Sequence, residues 1–587
     1  MINFPPAAIL ILGAVVLAVL PRRIRSAAFL VFPVLAFLWL LQLNPGDSQT
    51  INFLNYALIP TRIDELSLAF GYVFVIITFL GGIYGYHLKD TAEQVSTLFY
   101  AGSSLGVVFA GDLFTLVFFW EIMAVSSLYL IWARKTPGAR AAGMRYLMVH
   151  LFGGSLLLGG VLVHVTTTGS IIFNAMDASI SSYLILSGFC LNAAVPPLHA
   201  WLSDAYPEGT VTGSVYLSVF TTKTAVYVLA RGFAGWEVLL WAGAAMTVYG
   251  VVFAVLQNDI RRLLSYHIIS QVGYMVAGVG LGTAIAIDGA TAHAINNILY
   301  KTLLFMGAGA VLYTTGKSKM TELGGLAKAM PWVLVLYMVG AFSISGVPLF
   351  SGFVSKSMVI FAAGDSGMGL AVILLTLASV GTFLSVGLKL PYYTWFGQKS
   401  SVAPKDTPPG MYLGMALTAA MCVAIGVYPA LLYNILPYPV DYQPYTPGHI
   451  IETIQLLIFT AVGFWILVKL IKPKADIALD IDWFYRRPAR LAYTVFVVSI
   501  SRFFADVEVI VLKLVQFFTR VGVNPVSYLA ATLKLTRENG IIMNQTDPVK
   551  GYDPDWQRLS VEPMVLIVIL IFIVLIAWGL FQIIIYS

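Results

Sequence analysis

Charge is what this chain lacks. Only 11% of its 587 residues are Asp, Glu, Lys or Arg, where a soluble protein carries about 25%, and its mean hydropathy is +0.85. That shortage excludes an ordinary water-soluble fold and places the chain in lipid. Cysteine is almost missing as well. Cys190 and Cys422 both lie in apolar runs, which excludes a disulfide framework, a zinc site and an iron–sulfur cluster. The seven histidines form no His-Glu-x-x-His pair, and there is no phosphate-cradling glycine loop and no Ser/His/Asp set. Haem would need two facing His at matched depth, and no pairing stands out. No catalytic residue, no metal and no cofactor is expected. The net charge of +6 does not point to nucleic acid, because its Lys and Arg fall in short clusters between apolar runs, as topology selection produces.

What the chain has is a succession of those runs. A helical span needs about 20 predominantly apolar residues. Sixteen stretches qualify: 5–21, 26–43, 66–87, 93–111, 113–132, 143–165, 181–201, 212–233, 239–256, 263–286, 289–314, 331–361, 368–396, 409–430, 450–471 and 562–585. Met1 to Leu20 show no basic leader or evident cleavage site and read as a first span. Residues 44–65, with Asn44-Pro45-Gly46-Asp47 ahead of alternating apolar residues, predict a small hairpin outside the membrane. Bases gather on alternate connections: Arg22, Arg23 and Arg25; Lys89; Arg134, Lys135 and Arg140; Arg261 and Arg262; Lys317 and Lys319; Lys399 and Lys405; Lys472, Arg486 and Arg487. The opposite connections carry Asp47, Asp64, Glu65, Asp112 and Asp177. The basic side is therefore cytoplasmic and the N-terminus outside, as for a multi-pass protein of the plasma (inner) membrane.

Two runs should not be plain rods. Pro196-Pro197 interrupts the end of 181–201, and Gly346-Val347-Pro348 interrupts 331–361. Proline removes a helix hydrogen bond and clashes with the preceding turn, and freed backbone at membrane depth needs protein or a watery cavity to cover it. Local echoes (195–198 with 346–349, and 217–223 with 384–389) hint at an internal duplication. Residues 472–561 break the pattern. Arg502, Asp506, Glu508, Lys513 and Arg520 recur among apolar residues over 491–535, which reads as a long amphipathic helix along the cytoplasmic face. The alternative, a crossing by 491–511, would put the C-terminus on the other side.

Six ionisable residues sit inside the apolar runs: Glu121, Lys223, His267, His293, Lys301 and Lys356. One charge at the bilayer centre costs roughly 2.5–3.5 kcal/mol on insertion scales, so six of them, mostly acids and bases, read as an ion path. Glu121, mid-span, is suited to load and release a proton. Lys223, at about half depth, is poorly placed to snorkel. His293, Asn297 and Lys301 stand four residues apart and line one helix face, and His267, Gln271 and Tyr274 repeat that stripe on the preceding span. Packing by interhelical hydrogen bonds is the plainer reading of each stripe. Lys356 follows the Pro348 break. Lys389 lies near a cytoplasmic end, where snorkelling competes with function. His150 and His164 are weaker candidates, and His199, at the proline break, reads as structural rather than as a ligand.

At these residues the chain resembles the antiporter-like subunits shared by Mrp-type Na⁺/H⁺ antiporters, respiratory complex I and membrane-bound hydrogenases. The motifs are Trp120-Glu121, Pro197-Leu198-His199-Ala200-Trp201, Thr222-Lys223 before Val226-Tyr227, the run Arg262 to Tyr274, His293 to Lys301 with Leu303 to Gly309, and Pro348 to Lys356. They cover roughly 65–430, and Thr222-Lys223 with Tyr266-His267-Ile268 look most like the D-type Mrp component. The resemblance implies an all-α polytopic membrane protein with a 14-helix antiporter-like core, two inverted five-helix repeats and broken helices. Its segments would be N-terminal helices over 1–92, repeats over 93–233 and 239–396, further helices over 409–471, an amphipathic lateral helix region over 472–561, and a last transmembrane helix within 562–587. It also implies a hydrated axis through Glu121, Lys223, Lys301 and Lys356, and other membrane subunits as partners. One position departs from the pattern: the family's usual Lys partner of the Glu121 equivalent is here Asn192. Either Lys223 has become the cationic partner of Glu121, or the first half-channel is uncoupled and conduction falls to Lys301 and Lys356.

The expected activity is proton translocation, with Na⁺/H⁺ exchange as its extended form, inside an Mrp-type, complex I-like or hydrogenase-type assembly. In a redox assembly the chain would be a subunit of an ion-pumping oxidoreductase without a catalytic site of its own. The alternative is a non-conducting structural subunit of the same assembly that braces its neighbours, and Asn192 is the feature favouring it.

Overall fold

The computed structural model describes residues 4–397, 404–474 and 480–523, in two compact units divided between Pro488 and Ala489. In lipid each backbone donor must be satisfied within its own segment, so apolar runs become helices. The first unit opens with α1 (Pro6–Val19) and α2 (Arg22–Leu40). The 44–65 stretch forms an antiparallel hairpin of β1 (Ser48–Phe53) and β2 (Tyr56–Arg62). Then come α3 (Glu65–Tyr84), α4 (Thr91–Phe109), α5 (Leu113–Trp132) and α6 (Pro137–Thr168). Their starts are fixed by side-chain caps from Asp64, Asp90, Asp112 and Thr136, which satisfy donors that have no partner inside the helix.

The 181–201 run is broken. α7 (Ile180–Asn192) stops, and the chain resumes as the short α8 (Ala200–Ala205). The 212–233 run, expected as one rod, is also interrupted: α9 (Gly213–Leu217) is separated from α10 (Phe220–Gly232) at Ser218-Val219. There follow α11 (Glu237–Leu256), α12 (Ile260–Leu281) and α13 (Ala284–Thr315). The 331–361 run divides into α14 (Pro331–Ser345) and α15 (Ser351–Asp365). α16 (Gly369–Thr382) passes into wider π-helical turns at Phe383–Lys389 and Tyr392–Phe396, where Pro391 cannot donate to the preceding turn. The unit closes with α17 (Pro409–Val427), α18 (Ala430–Tyr433) and α19 (Pro447–Leu467).

Among the described residues nine helices are long and apolar enough to cross a membrane. The other crossings read from the sequence within the described residues are short, like α1 and the split α7 and α14, or rich in polar residues, like α12, which carries Arg261, Arg262, His267 and Gln271. α13 is the central helix. It is almost wholly buried and packs against α3, α12, α14, α15 and α17.

α20 (Trp483–Ala492) runs across the division between the units, and the second unit continues as a π-helical turn (Tyr493–Ser499) and α21 (Ile500–Val523). The helix read over 491–535 is thus helical as far as Val523. Its remainder and the last span at 562–585 lie outside the described residues.

Candidate functional site

α12 and α13 place their polar stripes face to face in the middle of the first unit. His267, Gln271, His293, Asn297 and Lys301 are all fully buried, and the link between the stripes is Tyr300. Its hydroxyl donates to Gln271 Oε1 at 3.2 Å, accepts from Asn297 Nδ2 at 3.0 Å and lies 3.4 Å from His293 Nε2. His293 Nδ1 reaches Ser355 Oγ on α15 at 3.2 Å. One residue further on, Lys356 places its ammonium over the Tyr274 ring, 5.2 Å from the centroid. Tyr274 donates to Leu375 O on α16 at 2.5 Å. His267 closes the other flank, with Nε2 2.7 Å from Ser385 Oγ in the π-helical stretch.

The lysines share one mode of support. Lys223 Nζ donates to Ser218 O at 2.7 Å, a carbonyl released where α9 and α10 part. Lys356 Nζ donates to Ile344 O at 2.7 Å, across the break between α14 and α15. Lys301 Nζ donates to Leu264 O of α12 at 3.0 Å, and Lys389 Nζ to Gln257 O at 3.2 Å and to Val255 O at the end of α11. Helix ends and interruptions leave carbonyls with no intrahelical partner, and three of the four ammonium groups take theirs there. Among the described residues none of these lysines is within ion-pair distance of a carboxylate.

Glu121 stands apart. It is half-buried on α5 and presses against Gly154 of α6, where an added Cβ would lie 2.0 Å from Oε1. It forms no ion pair with Lys223, so the exchange of partners considered for Asn192 is not what the side chains adopt. Asn192 itself is fully buried at the end of α7, and neither of its side-chain polar atoms has a partner among the described residues. The hydroxyls of Thr222 and Thr224, flanking Lys223, are likewise buried without partners among the described residues. Buried polar atoms of this kind are sites for ordered water.

A cavity of about 470 Å³ opens beside Lys356, lined also by Ser345, Gly346, Ser379, Asp441 and Glu452. It reaches the side on which α15 ends and α19 begins, opposite the basic connections. Among the described residues no group of three His, Cys, Asp or Glu converges as metal ligands.

A family model described as NADH:quinone oxidoreductase/Mrp antiporter, transmembrane, matches residues 110–385. The N-type component of the NADH-quinone oxidoreductase of Desulforudis audaxviator is 30% identical over 395 residues, covering 60% of this chain and 78% of that protein. This chain belongs to that family. The D-type component of the Na⁺/H⁺ antiporter of Alkalihalophilus pseudofirmus is 32% identical over 323 residues, half of this chain and 64% of that protein. Among solved structures, a chain of the Mrp complex from Dietzia sp. DQ12-45-1b superposes with a TM-score of 0.66 at 23% identity, covering 77% of this chain and 98% of its own.

The family region includes Glu121, Lys223, His267, His293, Lys301 and Lys356, while Lys389 falls just beyond it. His293, Gln271 and Asn297 come together around Tyr300, and Lys356 lies over the Tyr274 ring next to them, whereas Glu121 does not join them. Tyr300, Ser355 and Ser385 do not stand out in the sequence. Tyr300 carries a signal all the same, since it stands three residues after Asn297 and seven after His293 on the same face. The two serines carry none, because only packing brings them to the histidines.

Proposed function

We propose that this membrane subunit translocates protons along the buried row of Lys223, Lys301, His267, His293 and Lys356, within an Mrp-type antiporter or a related redox-driven complex. The observation that carries the reading is the hydrogen-bonded connection from Gln271 through Tyr300 to His293 and Ser355, ending next to Lys356 and its cavity. An ammonium held by a neutral carbonyl has no fixed countercharge, so it can release a proton and retake it as its neighbours change charge. Each transfer then biases the next group electrostatically, and no covalent intermediate is needed. The repeat organisation over 93–233 and 239–396 belongs to the same reading, as do partner subunits in the membrane and Na⁺ as a second ion.

A second reading, a non-conducting brace, is favoured by Asn192 and by the absence, among the described residues, of an ion pair at Glu121. Replacing Lys301 with Ala in the assembled complex separates the two. Proton uptake into everted vesicles should fall at least about 10-fold with the amount of complex unchanged. Full uptake by the variant would leave the brace as the function.

A further inference from the structure

The interrupted α7–α8 segment holds a second buried arrangement, which the row above does not use. His199, just before α8, is fully buried, and its Nε2 lies 3.2 and 3.3 Å from the two carboxylate oxygens of Asp480. Asp480 stands 281 residues further along, in the connection after α19, outside the spans. Tyr249 of α11 and Tyr266 of α12 donate to the same carboxylate, as does Ile481 N at 2.6 Å. Burial works to raise this carboxyl, but the hydrogen bonds from His199, Tyr249 and Tyr266 outweigh it and bring it down to about 2, so Asp480 is ionised at every physiological pH.

A carboxylate only accepts hydrogen bonds, so the hydrogen of a neutral His199 sits on Nε2 and its basic atom is Nδ1. Among the described residues that Nδ1 is buried with no partner, as are both polar atoms of Asn192 at the other end of the same interruption. The geometry points to Asp480 as a positioning residue of the first half of the chain: it holds His199 by Nε2–H and leaves Nδ1 unbonded to take and return a proton where Asn192 carries no charge. This rests on the proton-translocation reading. The step is balanced simply. A proton from water binds Nδ1, the imidazolium forms beside ionised Asp480, and the same N–H bond breaks to return the proton to water. The connection between α19 and α20 thereby becomes part of the path.

Among the described residues the titratable groups on His199 and its carboxylate are Asp480, Tyr249 and Tyr266, with Arg262 beside Tyr266, while the Arg145–Asp204 pair (2.6 Å) joins α6 to α8. None of these other than Asp480 places a negative charge against the ring. The test measures proton uptake against pH in everted vesicles carrying the full complex, with Asp480→Asn, Asp480→Glu, His199→Gln, the His199→Gln/Asp480→Asn double variant and Lys301→Ala. Asp480→Asn should lower the rate about 10-fold and move the pH of half-maximal uptake about one unit toward acid, since loading then needs more protons. Asp480→Glu should retain most of the rate and the wild-type profile, and the double variant should be no worse than either single one. If Asp480→Asn does not assemble, Asp480→Ser replaces it and should lower the rate about 10-fold with the same acid shift. A wild-type rate and profile in Asp480→Asn or its substitute, or independent additive losses in the double variant, would overturn the inference while Lys301→Ala stays inactive. Full uptake by Lys301→Ala would instead bring down the translocation reading and this inference with it.

Discussion

One phenolic hydroxyl joins the two stripes that the sequence presents separately. Removing it as Tyr300→Phe keeps the ring and its packing but strips a partner from Gln271, Asn297 and His293 at once. An unsatisfied buried polar group costs about 1–3 kcal/mol, and here water would have to bridge what the hydroxyl joined. Proton uptake by Tyr300→Phe should fall about 5- to 10-fold, with the amount of assembled complex within about twofold of wild type on a native gel. The titratable members of the site were legible from the sequence because charge in an apolar run is expensive and therefore conspicuous. Serines and tyrosines cost little there and give no such signal. For the same reason Ser355 and Ser385 became visible only as neighbours of His293 and His267. The pairing of Glu121 could not be read either, since a partner is a matter of which helices touch.

At the scale of elements, the most extensive helix–helix contact among the described residues, between α11 and α12, is made by absent side chains. Gly243 and Gly250 of α11 and Gly273 and Gly280 of α12 let the two backbones meet. A Cβ on Gly280 would lie 2.0 Å from Leu240 N, and one on Gly273 2.6 Å from Gly243 O. Small residues at helix contacts are how membrane helices gain packing without a hydrophobic drive. α12 carries His267 and Gln271, so this seam sets the distance of that stripe from α13. Gly280→Val should push the helices apart at about 1–3 kcal/mol, seen as a lower unfolding temperature of the purified complex. An unchanged transition would show that the seam can yield. The interruptions at 193–199 and 346–350 were readable because proline is unambiguous, and both carry left-handed residues: Ala194 (φ 59), Gly346 (φ 74) and Leu349 (φ 73). The interruption at Ser218-Val219 has no proline or glycine to announce it. It is a tertiary effect, and it supplies the carbonyl that holds Lys223.

For the molecule as a whole, the division after Pro488 separates the helical core from the residues that follow. A chain ending at Pro488 retains α1 to α19 and Asp480. It should insert and resist protease as the full chain does, but be recovered at less than about one-tenth of the wild-type amount in the assembled complex. Recovery at the wild-type level would mean that 489–587 is dispensable for assembly. The same length of chain shows how far a linear reading reaches. It set Asp480 among the charges leading into an amphipathic helix, and nothing local linked that residue to a histidine 281 positions earlier.

The sequence alone determined the solvent, the helical class, the proline interruptions and the lysines and histidines lodged in the apolar runs, because each follows from the cost of charge or of free backbone in lipid. Only the tertiary structure decided which of those groups meet, that the lysines rest on carbonyls, that Glu121 lies apart, and that His199 faces Asp480. Such pairings depend on helix rotation and on approach distances of a few ångströms, and many arrangements of the same apolar runs would satisfy the lipid equally well.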